Sequence, residues 1–305
     1  MIVVTGYNGF IGRNLLRHLS GTPIYGAEYR HGIIPIGHNP PVAYCKDASG
    51  IDQVRPFGTN MQLRAVVHLG AISNPRLWLT DAAWMEANVI PTIQWFRFCA
   101  AYNVPFIFTS SAQVYGNSLP CHASRALEDL QPLNPYGRTK LLAEKAILTS
   151  IKEGFAPPRW YVLRLYNVYG PHEHQKSYAT RSMQSRSYDA RASGLPITVF
   201  HHPTKGIARD FIDVGSVCRV IAHLVVFPQE SGIFDIGTGK SHTFDEVASI
   251  IGCDVLNEAM PDHLGIGYQY ETRAWYVPDW ARLHIEGFTD AMQAYIELRE
   301  SGVDP

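Results

Sequence analysis

Tyr136 and Lys140 stand four residues apart in Tyr136-Gly137-Arg138-Thr139-Lys140. On a helix that spacing puts both side chains on one face, one turn apart. A free phenol titrates near ~10, too high for a base at neutral pH. A neighbouring ammonium and a positively charged redox cofactor would stabilise the phenolate and lower that value. Tyr136 can then take a hydroxyl proton while hydride leaves the same carbon for a nicotinamide, with Lys140 also holding the nicotinamide ribose. Thr109-Ser110-Ser111-Ala112 directly follows the apolar run Pro105-Phe106-Ile107-Phe108. A hydroxyl there, at Ser111, can bond the substrate oxygen and polarise it. The plain alternatives are a surface Tyr–Lys pair and serines doing ordinary turn chemistry.

A glycine pattern supplies a place for the cofactor. Thr5-Gly6-Tyr7-Asn8-Gly9-Phe10-Ile11-Gly12 follows the apolar run Ile2-Val3-Val4 and opens a helical stretch. Glycines between strand and helix let the backbone approach a pyrophosphate, whose charge the free N–H groups of the helix start can bind. The cradle therefore comprises Gly6, Tyr7, Asn8, Gly9, Phe10, Ile11 and Gly12. A second strand ends at Glu28, followed by Tyr29 and Arg30. A carboxylate at that place bonds the adenosine ribose hydroxyls of NAD, whereas an arginine pairs with the 2′-phosphate of NADP. Glu28 and Arg30 leave both cofactors open, with NAD slightly favoured, and Asp47 is a weaker candidate for contact with adenine.

These residues need a scaffold that brings strand ends together. Short apolar runs at residues 2–4, 23–27, 65–69, 105–108 and 160–165 read as strands, with a possible further one at 42–44. Helical patterns fall between them at 10–19, 81–102 and 135–151. Such alternation predicts an α/β fold, a doubly wound parallel sheet of Rossmann type. The second half reads less regularly: a strand at 196–200, helices at 213–226 and from about 289 to 298, and a capping box at Thr243-Phe244-Asp245-Glu246. It predicts a smaller C-terminal substrate lobe, with residues 1–166 as the cofactor domain and 167–305 mainly the lobe, some segments returning to the sheet.

Composition fits that reading. The 305 residues are 46% hydrophobic and 17% charged, enough apolar matter for a large core. Lys+Arg number 26 against 27 Asp+Glu, a balance that argues against a nucleic-acid binder working through a basic surface. No apolar run approaches the ~20 residues of a membrane helix, so no membrane partner is expected. The five cysteines are scattered without a Cys-x-x-Cys pair, which suits reduced thiols and a cytoplasmic location. His172 and His174 have only Glu173 nearby, so no metal site is expected.

Taken together, these segments resemble the extended short-chain dehydrogenase/reductase family, the nucleotide-sugar epimerases and dehydratases. Further marks of the resemblance are His68-Leu69-Gly70-Ala71, Ser110-Ser111-Ala112-Gln113-Val114-Tyr115-Gly116, Arg164-Leu165-Tyr166-Asn167-Val168-Tyr169-Gly170-Pro171, Arg209-Asp210-Phe211-Ile212-Asp213-Val214 and Phe234-Asp235-Ile236-Gly237-Thr238-Gly239. The resemblance covers nearly the whole chain. It implies a Rossmann domain holding NAD(P) and a lobe holding a nucleoside-diphosphate sugar. It also implies further cofactor contacts at Leu69, Gly70, Ala71, Asn88, Tyr166 and Val168, and substrate contacts at Ser73, Asn167, Arg209 and Tyr268. Relatives often pair through the helices at 81–102 and 135–151, which implies a homodimer or higher homo-oligomer.

Gly170-Pro171-His172-Glu173-His174-Gln175-Lys176 is similar to the stretch that carries a second catalytic base in the ADP-L-glycero-D-manno-heptose 6-epimerase branch, and Tyr268-Gln269-Tyr270-Glu271-Thr272 to that branch's substrate loop. The resemblance thus implies Lys176 as a second base and substrate contact. The chain departs from the branch at Gly6-Tyr7-Asn8-Gly9, at His172 and over 273–280. The 4,6-dehydratases carry an Asp-Glu pair where this chain has Ala112 and Gln113, which cannot do that acid–base work. The reading is a nucleotide-sugar epimerase that oxidises and re-reduces one sugar carbon. A UDP-hexose 4-epimerase and a nucleotide-sugar reductase are the alternatives.

Overall fold

Ile2-Val3-Val4-Thr5 is buried at every position, as a strand covered on both faces must be. It forms β1 (Ile2–Thr5) inside a parallel sheet. The computed structural model describes residues 1–19, 24–27, 43–46, 52–55, 63–74, 77, 79–262 and 268–302. Among the described residues the sheet has six strands in the order β12-β7-β6-β5-β1-β2. They are β2 (Ile24–Ala27), β5 (Ala65–His68), β6 (Phe106–Ser111), β7 (Trp160–Leu165) and β12 (Gly232–Ile236) beside β1, all paired in parallel. Thus β12, from the second half of the chain, returns to complete one edge.

Successive β1 side chains serve opposite layers. Ile2 and Val4 pack with Leu15 of α1 (Phe10–His18) and with Val217 and Ile221 of α6 (Val214–Val226). Val3 packs with Trp95 and Phe96 of α3 (Ile90–Ala101) and with Ala143 and Ile147 of α4 (Pro135–Lys152). Asp213 caps α6, its Oδ1 accepting from Ser216 N–H at 2.8 Å.

One expectation from the sequence does not hold, and another holds with a different pairing. The single helix expected over 81–102 is two, α2 (Asp81–Asn88) and α3, broken at Val89. Pro91 stands in the first turn of α3; it has no N–H for a continuous ladder, and its ring crowds the carbonyl four residues back. The strand expected at 42–44 is β3 (Ala43–Lys46), but it pairs antiparallel with β4 (Asp52–Arg55), not in the parallel sheet.

The second lobe has its own core. β9 (Ile197–His201) pairs in parallel with β14 (Val255–Ala259). Against them lie α5 (Met183–Ala192), α7 (Phe244–Ile251) and α9 (Phe288–Glu300), after the short α8 (Asp279–Arg282). Ile197, Val199, Val247, Ile251, Phe288 and Met292 are buried together there. The Thr243 capping box is formed, with both of its hydrogen bonds present. Two small pairs join the lobe to the sheet: β8 (Asn167–Tyr169) with β11 (Phe211–Asp213), and β10 (Ala208–Arg209) with β13 (His242–Thr243). Periodicity gives no sign of α5, because Gln184, Ser185 and Ser187 face inward where apolar residues would mark a stripe.

Candidate active site

Three carboxyl-end features converge. β6 delivers Ser111 to the sheet edge, where its Oγ accepts from Gln113 N–H at 3.2 Å and so caps the tight turn Ala112–Tyr115. α4 begins beside that turn. Asn134 caps it, accepting from Gly137 N–H at 2.8 Å, while its amide donates to Gln113 Oε1 at 2.7 Å. Gly137 is required by this contact, since a Cβ there would lie 2.8 Å from Gln113 O. The first turn of α4 thus brings Tyr136 near enough to Ser111 for the serine hydroxyl to favour its phenolate.

Lys140, one turn further, is buried. Its Nζ donates to Thr109 O at 2.7 Å and lies 4.6 Å above the Phe108 ring and 5.7 Å from the Tyr136 ring centre. Burial brings the Lys140 ammonium down to about 7, against an opposing pull from Glu144. The expected lowering of the Tyr136 phenol draws on a charged cofactor ring as well as Lys140; in the protein alone the phenol is raised. Burial pushes it up to about 12, and the Ser111 hydroxyl offsets this only in part.

Behind Lys140 runs a buried polar chain that the sequence reading missed. Glu144 accepts from Arg164 at 2.6 and 3.1 Å and from Ser110 Oγ at 2.5 Å. Arg164 also donates to Tyr115 Oη at 2.8 Å, and Tyr115 donates to Asp235 Oδ1 at 2.8 Å. Tyr166 Oη donates to the same Asp235 oxygen at 3.2 Å. Tyr166, a residue expected at the cofactor, thus has its phenol engaged in the interior; Val168, two residues on, is partly buried. Glu144 stands four residues after Lys140, a spacing that could have marked it.

The glycine turn joins β1 to a helix start that no side chain caps. Gly6 adopts φ 67, and a Cβ on it would lie 2.7 Å from Gly70 Cα; one on Gly12 would lie 2.4 Å from Gly6 O. Those two glycines are demanded by internal packing. Gly9 is different: it is exposed, has φ -72, and its nearest contact for a Cβ is Gly6 O at 3.1 Å. Its missing side chain keeps the approach to the α1 N-terminus open, and no side chain caps that terminus. Tyr7 is buried in the core, Ile11 packs against it, and Asn8 O accepts from Arg13 Nε at 2.7 Å.

The neighbouring loop is fixed from below. Leu69 N–H donates to Thr5 O and Gly70 N–H to Thr5 Oγ1. His68 lies 2.7 Å from Thr5 Oγ1 and 3.0 Å from Thr92 Oγ1. Burial, helped by the Lys140 charge, takes its imidazole down to about 3, so it stays neutral. Asn88 clasps Ile72 at both N–H and carbonyl and donates to Thr139 Oγ1 at 3.1 Å. All its amide groups are engaged with protein, so it ties the loop after β5, with Ala71 on it, to the helix of Tyr136 and Lys140. Ser73 is exposed on this loop. Glu28, Arg30 and Asp47 lie outside the described residues.

Lys176 comes from the other side, on the loop after β8. Its Nζ is 3.1 Å from Glu173 Oε2 and 3.7 Å from the centre of the Phe10 ring at the start of α1. Burial lowers its ammonium, opposed by Glu173. Glu173 is itself buried and accepts from Ser182 N–H at 2.7 Å and Ser182 Oγ at 2.6 Å. Asn14 donates to Pro171 O at 3.0 Å and so binds the loop to α1. The fold thus brings Ser111, Tyr136 and Lys140 into one cluster, and Lys176 to the glycine turn.

The expected substrate residues of the lobe are engaged with other parts of the lobe. Asn167 Nδ2 donates to Asp210 O and Thr272 Oγ1. Arg209 is buried and donates to the carbonyls of Ala208, Gln269 and Tyr270, its guanidinium 5.1 Å from the Tyr268 ring centre. Arg209 therefore supports the segment 268–270. Among the described residues, no group of three His, Cys, Asp or Glu side chains could hold a metal ion, and no helix is long and apolar enough to cross a membrane.

Comparison with known proteins agrees with this architecture. The sequence model of the NAD dependent epimerase/dehydratase family matches residues 2–237. The ADP-L-glycero-D-manno-heptose-6-epimerase of Pseudomonas paraeruginosa is 31% identical over 260 residues, covering 81% of this chain and 76% of that protein. The solved structure of MoeE5 in complex with UDP-glucuronic acid and NAD is similar with a TM-score of 0.73 and 25% identity, covering 99% of both chains. That of the Helicobacter pylori ADP-L-glycero-D-manno-heptose-6-epimerase has a TM-score of 0.72 at 20% identity, covering 98% of this chain and 96% of the other, and speaks to the fold.

Proposed function

The chain belongs to the NAD-dependent epimerase/dehydratase family, and from that premise we propose that it inverts a side-chain carbon of a nucleoside-diphosphate heptose, using two residues on opposite faces of one carbonyl. It is an NAD-dependent nucleotide-sugar epimerase. In this reading residues 1–166 hold the cofactor and 167–305 mainly the sugar nucleotide. Gly6, Gly9 and Gly12 receive the pyrophosphate, and Tyr136 and Lys140 stand at the nicotinamide ribose. When bound, NAD supplies an acceptor that returns its hydride within the same turnover, and a positive ring that favours the Tyr136 phenolate.

The chain's own part is proton handling. Ser111 holds the reacting oxygen while Tyr136 takes its proton. Lys140, buried beneath, adds positive charge on the protein side. Lys176, kept an ammonium by Glu173, gives a proton to the oxygen once the carbonyl presents its other face. Solvent then removes the proton from Tyr136 and restores that of Lys176, so atoms balance over the cycle.

One observation carries inversion rather than loss of water. The two places after Ser111 hold the buried methyl of Ala112 and the amide of Gln113, which is committed to Asn134 at 2.7 Å. Neither can protonate a leaving hydroxyl. A UDP-hexose 4-epimerase is the second reading, favoured if Lys176 only binds substrate. Incubating the NAD-loaded protein, without added cofactor, with ADP-linked heptoses and UDP-linked hexoses tests the proposal. Inversion of the heptose supports it; inversion of hexoses alone replaces it by the second reading.

We also assign the chain a cytoplasmic location and a two-fold partner of its own kind. Ile90 at the start of α3 and Leu142 on α4 are exposed apolar residues suited to such a contact. Sedimentation at micromolar protein should give twice the monomer mass; a monomer alone would refute the pairing.

A further inference from the structure

Gln269 lies on the segment 268–272, which crosses from the second lobe to the turn after Ser111. Its amide nitrogen donates to both ends of that turn, Ala112 O at 3.2 Å and Gly116 O at 2.7 Å. Asn117 answers from the turn side. Its Nδ2 donates to Tyr268 O at 3.0 Å, and its Oδ1 accepts from Tyr270 N–H at 3.0 Å. The backbone on either side of Gln269 is thereby locked to the turn.

The opposite side of the segment is held as firmly. Arg209 donates to the carbonyls of Gln269 and Tyr270. Lys205 Nζ lies 4.3 Å from the Tyr270 ring centre, and the His202 ring meets the same ring edge-on at 5.0 Å. His202 and Lys205 line a cavity of about 390 Å³ with Phe200 and Phe244. Contacts therefore run from that cavity, through Tyr270 and Gln269, to the turn whose capping hydroxyl is Ser111.

We propose that Gln269 is a positioning residue: its two donated hydrogen bonds fix the Ala112–Gly116 turn and thereby hold Ser111 against Tyr136. Both N–H groups of one amide are used on carbonyls at opposite ends of a single turn, so losing them frees the turn as a unit. A displacement of Ser111 on the order of an ångström misaligns the reacting oxygen, and errors of that size cost about 10²-fold in rate. The consequence for rate rests on the epimerase reading; the mechanical role does not.

The test compares the NAD-loaded parent with Gln269→Ala and with Gln269→Glu, which keeps the size of the side chain but turns its donors into acceptors. Amide hydrogen exchange should quicken at least about tenfold over residues 112–117 in both variants, with α1 unchanged. On an ADP-linked heptose, kcat per NAD-loaded site should fall about 10–100-fold with KM within about threefold. Gln269→Glu should regain part of its rate on acidification, because a protonated carboxyl donates one hydrogen bond. A merely structural role would lower Tm and the number of loaded sites yet leave kcat per loaded site normal. That outcome, or parent-like exchange at 112–117, overturns the proposal. The exchange measurement needs no sugar, so failure of the parent to epimerise anything would sink the functional reading while Gln269 is still judged.

Discussion

Lys140 donates its ammonium to the carbonyl oxygen of Thr109 at 2.7 Å, inside the end of the same strand that carries Ser111. A charge buried there is costly, and its pKa falls from 10.5 to about 7, with burial the main cause and Glu144 opposing. Between those two values the unfolded chain binds a proton that the folded chain does not, so stability rises with pH across that window. For the cofactor-free protein, Lys140 should add about 1–3 kcal/mol of unfolding free energy between roughly pH 7 and 9.5. Denaturant titrations at both pH values check this. The Lys140→Met protein should lack that increment, and an equal increment in parent and variant would show that Lys140 is not depressed.

Glu144 and Arg164 are both fully buried, with one contact of 2.6 Å. Removing one partner strands the other charge in the interior. Glu144→Gln should destabilise the protein by about 3–5 kcal/mol, and measurably more than a surface variant such as Glu153→Gln, whose arginine partner is exposed. Urea midpoints measured side by side decide it, and equal midpoints would refute the assignment.

A substitution at Gly9 tests the proposed pyrophosphate cradle apart from folding. Its exposed position and φ of -72 suit a side chain, and an added Cβ, 3.1 Å from Gly6 O, asks that oxygen to yield only a few tenths of an ångström. Gly9→Val should therefore fold with Tm within a few degrees while NAD affinity drops at least about tenfold. Gly12→Val should fail to fold properly, because its Cβ would meet backbone at 2.4 Å. Calorimetric NAD titration of the folded Gly9→Val protein with parent-like affinity would show that the pyrophosphate lies elsewhere.

Much of the candidate site was legible because its parts are local. The glycine turn, the Tyr136–Lys140 spacing and Ser111 after its strand each sit within eight residues of chain, where helix and strand geometry fixes relative position. The sheet was legible for the same reason, since apolar runs mark strands buried on both faces. What was hidden depends on tertiary contact. Asn88 and Tyr166 are cofactor contacts by resemblance alone, and their side chains bond Thr139 and Asp235, partners remote in sequence. Gln269 meets Ala112 across 157 positions, and nothing near it in sequence signals that. The rise that burial gives the Tyr136 phenol in the protein alone was hidden as well, because burial is set by tertiary packing.

Turnover by Lys176→Met beside Tyr136→Phe tests the two-base mechanism most directly. Lys176 approaches the glycine turn from its own loop, paired with Glu173 at 3.1 Å, while Tyr136 sits with Ser111. If each serves one face of a carbonyl, either substitution should cut kcat for net epimerisation of an ADP-linked heptose at least about 100-fold. NAD affinity should stay within about threefold, and each variant should still exchange hydride with one face of an aldehyde analogue. A Lys176→Met protein with near-normal kcat and a raised KM would mean that Lys176 contributes only uniform binding, and the two-base mechanism would be wrong.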